Sequence, residues 1–452
     1  MLLCARYVLP VSRPHIENGA VLVRDGKIVD VGYSTKLKTM YPGEETRDFG
    51  LAALMPGFVD AHTHMQSSVM RGLISDAPYA AWNLLLAEKE KLLTYEDRVD
   101  SSMIGALEAI KSGITTVADI THSDAPLTAA KLSGLRGIFY REVGTLERSE
   151  VEGALDQAFA DIETWRQKTD SEKIEIGIAP APLFSSHPQV FKGVAEYAAD
   201  GTPVACHLAG SREEYEFIRY GSSPFSVHSR EQERGFGIDM PPWLATGVSP
   251  VRYVLNWGLL EVPNLLAIHC VQVDDDDIDK LAEHDVAIAV CSRCNAQLAM
   301  GVAPLSKFIE ADIRVGLGID SPAATSSSDP LVEMRIALLL QRALGSRSDF
   351  FSATQMVRLA TLGAAEALRI DDKVGSLDIG KCADIIAMDL SNSNQAPTHD
   401  PNSAIVHTAT QDNILMTMIG GEILYDGRNH LHDVDIQRVF ARAEKMRLKL
   451  KG

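Results

Sequence analysis

The chain has 452 residues, with 43 Lys and Arg against 61 Asp and Glu, and a formal net charge of −18. Hydrophobic residues make up 46% and charged residues 23%, a globular composition that excludes a disordered or fibrous protein. The acidic balance argues against gripping nucleic acid or docking on anionic lipid, both of which need clustered Lys and Arg.

Residues 2–10, 20–32 and 46–51 alternate apolar and polar positions, and Asp25-Gly26 is a hairpin signal. From residue 53 onward short apolar, β-branched runs take over, at 53–62, 115–121, 136–143, 174–181, 203–209, 264–271, 285–292 and 313–320. Most gaps between them carry a helical pattern, as at 97–113, 149–168, 189–200, 274–284 and 304–311. Runs apolar on both faces that alternate with amphipathic helices predict a parallel sheet. Eight such units close a (β/α)₈ TIM barrel.

Two gaps, 65–94 and 210–261, are too long for one helix, and long insertions after a barrel strand usually build or cover the active site. The hairpin texture returns at 375–390 and 414–428, with paired glycines at Gly420-Gly421, and a helix near 433–451 closes the chain. The expected division is a composite β-sandwich domain from residues 1–55 and 371–452 around a barrel at 56–370. No early strand is followed by G-x-G-x-x-G, which disfavours the doubly wound alternative.

Six cysteines in so long a chain do not make a disulfide framework, and Cys291 and Cys294 form one CxxC without a second pair. No uninterrupted apolar run approaches 18 residues, and 1–16 lacks a basic segment followed by an apolar one. The expectation is a cytoplasmic protein without membrane or nucleic-acid partners.

The chemistry sits at the ends of the runs. The first ends in Asp60-Ala61-His62-Thr63-His64, the fifth carries His207, the sixth His269 and the eighth Asp320. On a strand, i and i+2 share a face about 6.6 Å apart, so His62 and His64 can converge on one ion. One histidine after an apolar run is ordinarily a satisfied core residue. Four strand ends delivering four histidines and an aspartate to the rim where barrel enzymes place active sites point to a metal instead. Imidazoles with a carboxylate suit Zn²⁺ or Fe²⁺ rather than Mg²⁺ or Ca²⁺. Asp320 could both touch the ion and accept a proton from water, and a neutral His269 could polarise the substrate.

These residues resemble the amidohydrolase superfamily over nearly the whole chain. PGFVDAHTHMQSSVMRG (56–72), ACHLAGSREE (205–214), AIHCV (267–271), CSRCNAQLAMG (291–301) and LGIDSPAATSSSDPL (317–331) are similar to its motifs. The flanks resemble the composite β-sandwich of its cytosine-deaminase-like branch. The resemblance is to deaminases of S-adenosylhomocysteine, methylthioadenosine and aminofutalosine, and to triazine hydrolases. It implies one divalent metal, Zn or Fe, held by His62, His64, His207 and Asp320, with His269 beside the reactive water. The implied reaction is hydrolytic loss of ammonia from a purine-like or related aromatic heterocycle, a small-molecule substrate. Homo-oligomers are common among such enzymes.

Two departures qualify that. The strand-five motif is H-x-x-E, whose Glu carries protons to the leaving amine, and here the Glu position is Gly210. Glu213, Glu214 and Glu216 lie close in sequence, but their helix would have to unwind or tilt to supply a replacement. At strand four, Pro180-Ala181-Pro182-Leu183-Phe184 lacks the family's histidine, for which a loop shift could offer His187. Three outcomes stay open: deamination with another proton carrier, hydrolysis of another C–N or a C–Cl bond, or binding without turnover.

Three weaker candidates line up for the substrate. Trp82 in the first insertion could stack on it or pack a helix. Arg141 could meet a carboxylate or ribose, or form a salt bridge. Ser321 follows Asp320 at the rim. The acidic run 274–277 reads as helix capping, and 326–328 with Asp329-Pro330 reads as a loop and cap.

Overall fold

The computed structural model describes residues 1–169, 172–226, 245–431 and 434–451. The first strands are β1 (Leu2–Val8), β2 (Ile16–Arg24), β3 (Lys27–Tyr33), β4 (Thr46–Asp48) and β5 (Ala52–Pro56). Eight more follow: β6 (Phe58–Thr63), β7 (Ile114–Thr121), β8 (Arg136–Val143), β9 (Ile174–Pro180), β10 (Val204–Leu208), β11 (Leu265–His269), β12 (Ala287–Val290) and β13 (Val315–Leu317). The last are β14 (Ile385–Asp389), β15 (Ile414–Ile419) and β16 (Glu422–Tyr425).

Strands β6 to β13 pair in chain order and in parallel, with helices between them. The ring closes between its first and last strands. Ile319 N and Asp320 N both donate to His62 O, at 3.1 and 2.7 Å, and Thr63 bridges Asp320. This is the (β/α)₈ barrel that the eight runs predict.

The terminal strands form a separate sheet in the order β16-β15-β14-β5-β1-β2-β3, with β4 also on β1. Its two flanks meet where β5 pairs β14 antiparallel, Leu54 opposite Ala387. Both expected hairpins are present: Arg24 faces Lys27 across Asp25-Gly26, and Ile419 faces Glu422 across Gly420-Gly421. All four turn residues have positive φ, as a two-residue hairpin matched to strand twist requires. Leu3, Val21, Leu54, Ile385 and Met416 form this sheet's own core.

The apolar run at 53–62 is not one strand. It divides at Gly57 into β5 of the terminal sheet and β6 of the barrel. A Cβ on Gly57 would lie 2.1 Å from the Thr115 side chain, so the crossing between sheets needs a residue without one. A buried ion pair braces the same boundary: Arg136 of β8 donates to Asp384, Nε to Oδ2 at 2.7 Å.

The closing helix spans Ile436–Lys451. Although the sequence groups it with the terminal strands, it packs on the barrel helix Tyr95–Lys111, where Lys449 meets Asp97 at 2.8 Å and Arg442 pairs with Asp100. Among the described residues no helix is long and apolar enough to cross a membrane.

Candidate metal centre and pocket

Each strand end brings its side chain to one point. On β10, Val204, Cys206 and Leu208 join one apolar cluster and Ala205 the other, so His207 shares the face of Ala205. On β6, Asp60 is the brace. Its buried carboxyl accepts from Ile319 N at 2.8 Å and His62 N at 3.3 Å, tying the first histidine to the Asp320 segment. Burial raises the Asp60 pKa to about 8, although both backbone donors oppose this. Asp119 of β7 accepts from Met65 N at 2.7 Å and holds the turn after His64.

The ligand-type atoms converge. His207 Nε2 lies 3.2 Å from His62 Nε2 and 3.4 Å from His64 Nε2. Asp320 Oδ1 lies 3.4 Å from His62 Nε2 and 3.8 Å from His64 Nε2. Four ligands at about 2.0–2.1 Å on a tetrahedron stand roughly 3.3 Å apart, so the spacing fits one divalent ion. The His64 Nδ1 lies 3.0 Å from Ile120 O, so that nitrogen carries the hydrogen and Nε2 points its lone pair inward. Burial pushes the His62 pKa down to about 4 and that of His207 well below the ordinary value. For Asp320, burial opposes ionisation, but the hydrogen bond with His62 and the surrounding imidazoles hold its carboxyl well below the carboxylate range. Neutral imidazoles and an ionised carboxylate are the protonation states that bind metal.

His269 approaches from the other side, with Nε2 at 3.8 Å from Asp320 Oδ2. Its Nδ1 donates to Asn295 Oδ1 at 2.9 Å, and burial lowers its pKa, keeping the ring neutral. Ala209, His269 and Asp320 all have positive φ, at 51°, 74° and 69°. Non-glycine residues in that region cost about 1 kcal/mol or more, and such strain concentrates at functional sites.

A cavity of about 540 Å³ opens over this cluster and is lined by His64, His207, His269 and Asp320. Of the three substrate candidates, all line it. Trp82 lies on the helix Tyr79–Glu90. Beside it Phe184 stacks on Phe225 with centroids 3.7 Å apart, and Tyr79 meets both edge-on. Ser321 Oγ is 2.6 Å from Ser67 Oγ. Arg141 is engaged already: Nε donates to Asp161 at 2.8 Å and Nη1 to the Glu142 carbonyl.

The possible substitutes for missing groups are elsewhere. Glu214 turns its carboxylate back onto the backbone N–H groups of Ala209, at 2.8 Å, and Gly210. Burial raises its pKa to about 7. Glu216 pairs with Arg212 at 2.7 Å on the exposed side of its helix, and Glu213 does not line the cavity. His187 caps the helix Pro188–Tyr197, Nδ1 accepting from Gln189 N at 3.2 Å. A Cβ on Gly210 would lie 3.0 Å from the Met300 methyl and 3.1 Å from His269 Cδ2. Met300 thus stands where a side chain at position 210 would go. Asp274 and Asp277 form a capping box and Asp329 caps its helix, as expected.

Residues that sequence reading passed over also line the cavity: Glu90, His122, Glu142, Gln66 and Cys294, whose thiol is turned to Asp320. The rule that found the histidines could have found two of these. His122 directly follows β7 and Glu142 is the next-to-last residue of β8.

Residues 53–424 match the model of the amidohydrolase family. The chain is 32% identical over 443 residues to a 5-methylthioadenosine/S-adenosylhomocysteine deaminase of Pelotomaculum thermopropionicum, covering 96% of this chain and 94% of that protein. A deaminase of the same name from Thermodesulfovibrio yellowstonii is 28% identical over 455 residues, covering 98% of each. An adenosine deaminase from Xanthomonas campestris, solved with bound zinc, superposes with a TM-score of 0.86 at 25% identity, covering 100% of this chain and 98% of that one.

Proposed function

The chain belongs to the amidohydrolase family, and we propose that it is a metal-dependent aminohydrolase that releases ammonia from an adenosine-like aromatic heterocycle. The observation that carries this reading is the meeting of His62, His64, His207 and Asp320 at ligand spacing beneath a cavity of about 540 Å³. These four residues would hold one divalent ion, zinc by analogy with the Xanthomonas enzyme. When bound, such an ion supplies Lewis acidity and lowers the pKa of water to about 7.

The remaining work falls to side chains. Asp320, ionised in its ring of imidazoles, accepts the proton that water gives up in attacking the amino-bearing carbon. His269, fixed by Asn295, presents Nε2 toward the same point. Trp82, Tyr79 and Phe184 supply flat apolar walls for a heteroaromatic ring. Departing ammonia must take up a proton, and a positioned acid contributes about 10²–10⁴-fold to such a step. Gly210 cannot supply it, which favours a second reading: hydrolysis of a bond whose leaving group departs as an anion. Six unpaired cysteines support a cytoplasmic setting.

An ammonia-release screen across adenosine derivatives, guanine, pterins and triazines, with metal analysis alongside, tests this. About one equivalent of zinc or iron and ammonia from an adenine nucleoside are expected. Metal-loaded protein releasing ammonia from none of them would overturn the aminohydrolase reading.

A further inference from the structure

Across the cavity from Gly210, three titratable side chains form a chain of their own. His122 Nδ1 lies 2.7 Å from Glu142 Oε2, and its Nε2 lies 3.5 Å from Glu90 Oε2. All three line the cavity, Glu142 from β8, His122 from the end of β7 and Glu90 from the end of the helix that carries Trp82. Lost hydration opposes charge on His122, whose side chain remains 48% exposed, but Glu142 and Glu90 outweigh it and raise its pKa. Enclosure likewise opposes ionisation of Glu142, and His122 outweighs it and lowers the pKa. Two carboxylates therefore flank one imidazolium. Among the described residues that line the cavity, the one Arg or Lys, Arg141, is matched by Asp161 and turned onto the Glu142 carbonyl. Among the described residues this wall is net negative.

We infer that Glu142, held by His122 against Glu90, is a specificity-determining residue that selects substrates with a neutral or cationic group remote from the reacting ring and rejects those ending in a carboxylate. The reading rests on the aminohydrolase function proposed above and narrows its substrate class. A ligand carboxylate against this wall would meet two like charges and, among the described lining residues, no unmatched Arg or Lys, and like-charge placement of that kind is how sites exclude a competitor. An ammonium or a pair of hydroxyls would instead donate to the open lone pairs of Glu90 and Glu142.

The test uses three adenine nucleosides identical except at the 5′ position, bearing a methylthio group, an amine or a carboxylate. Binding to the metal-loaded protein is measured by calorimetry and turnover by ammonia release. The neutral and cationic ligands should bind the parent at least about tenfold more tightly than the carboxylate. Glu142→Gln, which keeps a hydrogen bond to His122 but not the charge, should narrow that ratio severalfold, and His122→Asn, which leaves both carboxylates unmatched, should widen it. A merely structural role would weaken all three ligands together. If the ligands bind and react but the ratio is the same in parent and Glu142→Gln, the inference is overturned and the aminohydrolase reading stands. If none of the three binds or reacts, the nucleoside reading falls and this one with it.

Discussion

His62 and Asp320 face each other across the seam where the barrel closes, Nε2 to Oδ1 at 3.4 Å, with the His62 carbonyl accepting from Asp320 N at 2.7 Å. The hydrogen bond that joins first strand to last also sets the separation of two ligand-type atoms. Closing the barrel and building the site are one event. Asp320→Ala should therefore abolish hydrolysis, losing at least the roughly 10²–10⁴-fold that a positioned base contributes, while the seam's backbone bonds persist. Measured kcat together with circular dichroism checks both halves; activity retained in the variant would remove Asp320 from the proposed chemistry.

Removing metal should destabilise as well as inactivate, because the four proposed ligands come from three segments of the ring. An ion present at about 1,000 times its Kd adds about 4 kcal/mol. Thermal melts before and after chelation should show a lower Tm that zinc restores in the parent and not in His207→Ala. A parent whose Tm ignores both chelator and zinc would count against a metal at this point.

Restoring an acid at Gly210 should raise any deaminase rate at least about tenfold, the low end of the general-acid range. Because Met300 stands in the path, the gain should be larger in Gly210→Glu with Met300→Ala than in Gly210→Glu alone. Neither variant outpacing the parent on a substrate the parent turns over would mean that another group already carries the proton.

Arg136→Met should cost about 3–5 kcal/mol, since it strands the buried Asp384 carboxylate without its partner. Urea unfolding measures this. Adding Asp384→Leu should recover part of the loss but not all, because Gly420 N would still lose its acceptor at 2.7 Å.

Glu214 should make stability depend on pH. Its folded pKa of about 7 lies above the roughly 4.3 of an unfolded chain, so the folded state holds a proton that the unfolded state has released. Its contribution is therefore complete below about pH 4.3 and is lost as pH rises to about 7. Relative to Glu214→Gln, the parent should lose about 3 kcal/mol over that window. Parallel curves for the two proteins, from urea unfolding at several pH values, would place the carboxyl's titration outside it.

Much of this was legible in the chain. Apolar runs ending in His or Asp announced both the barrel and the residues at its rim, because a strand buried on both faces must be apolar until it emerges. Asp25-Gly26 and Gly420-Gly421 announced the hairpins because few other residues take positive φ twice in succession. The division at Gly57 was hidden, since β5 and β6 are apolar alike and only the approach of Thr115 explains the break. The engagement of Arg141 by Asp161 was hidden too, lying between a strand and the following helix. Local sequence carries no record of which charges meet across such a gap.

The sequence by itself determined the barrel's strand count, the hairpin turns and the identity of the five residues that converge beneath the cavity, because periodicity and residue chemistry are local properties. Only the tertiary structure decided that Glu214 faces the backbone, that His187 is a helix cap, that Met300 fills the space beside Gly210, and that Glu90, His122 and Glu142 share one wall. Those outcomes depend on where a side chain points and what stands opposite. Both are set by packing between segments distant in the chain.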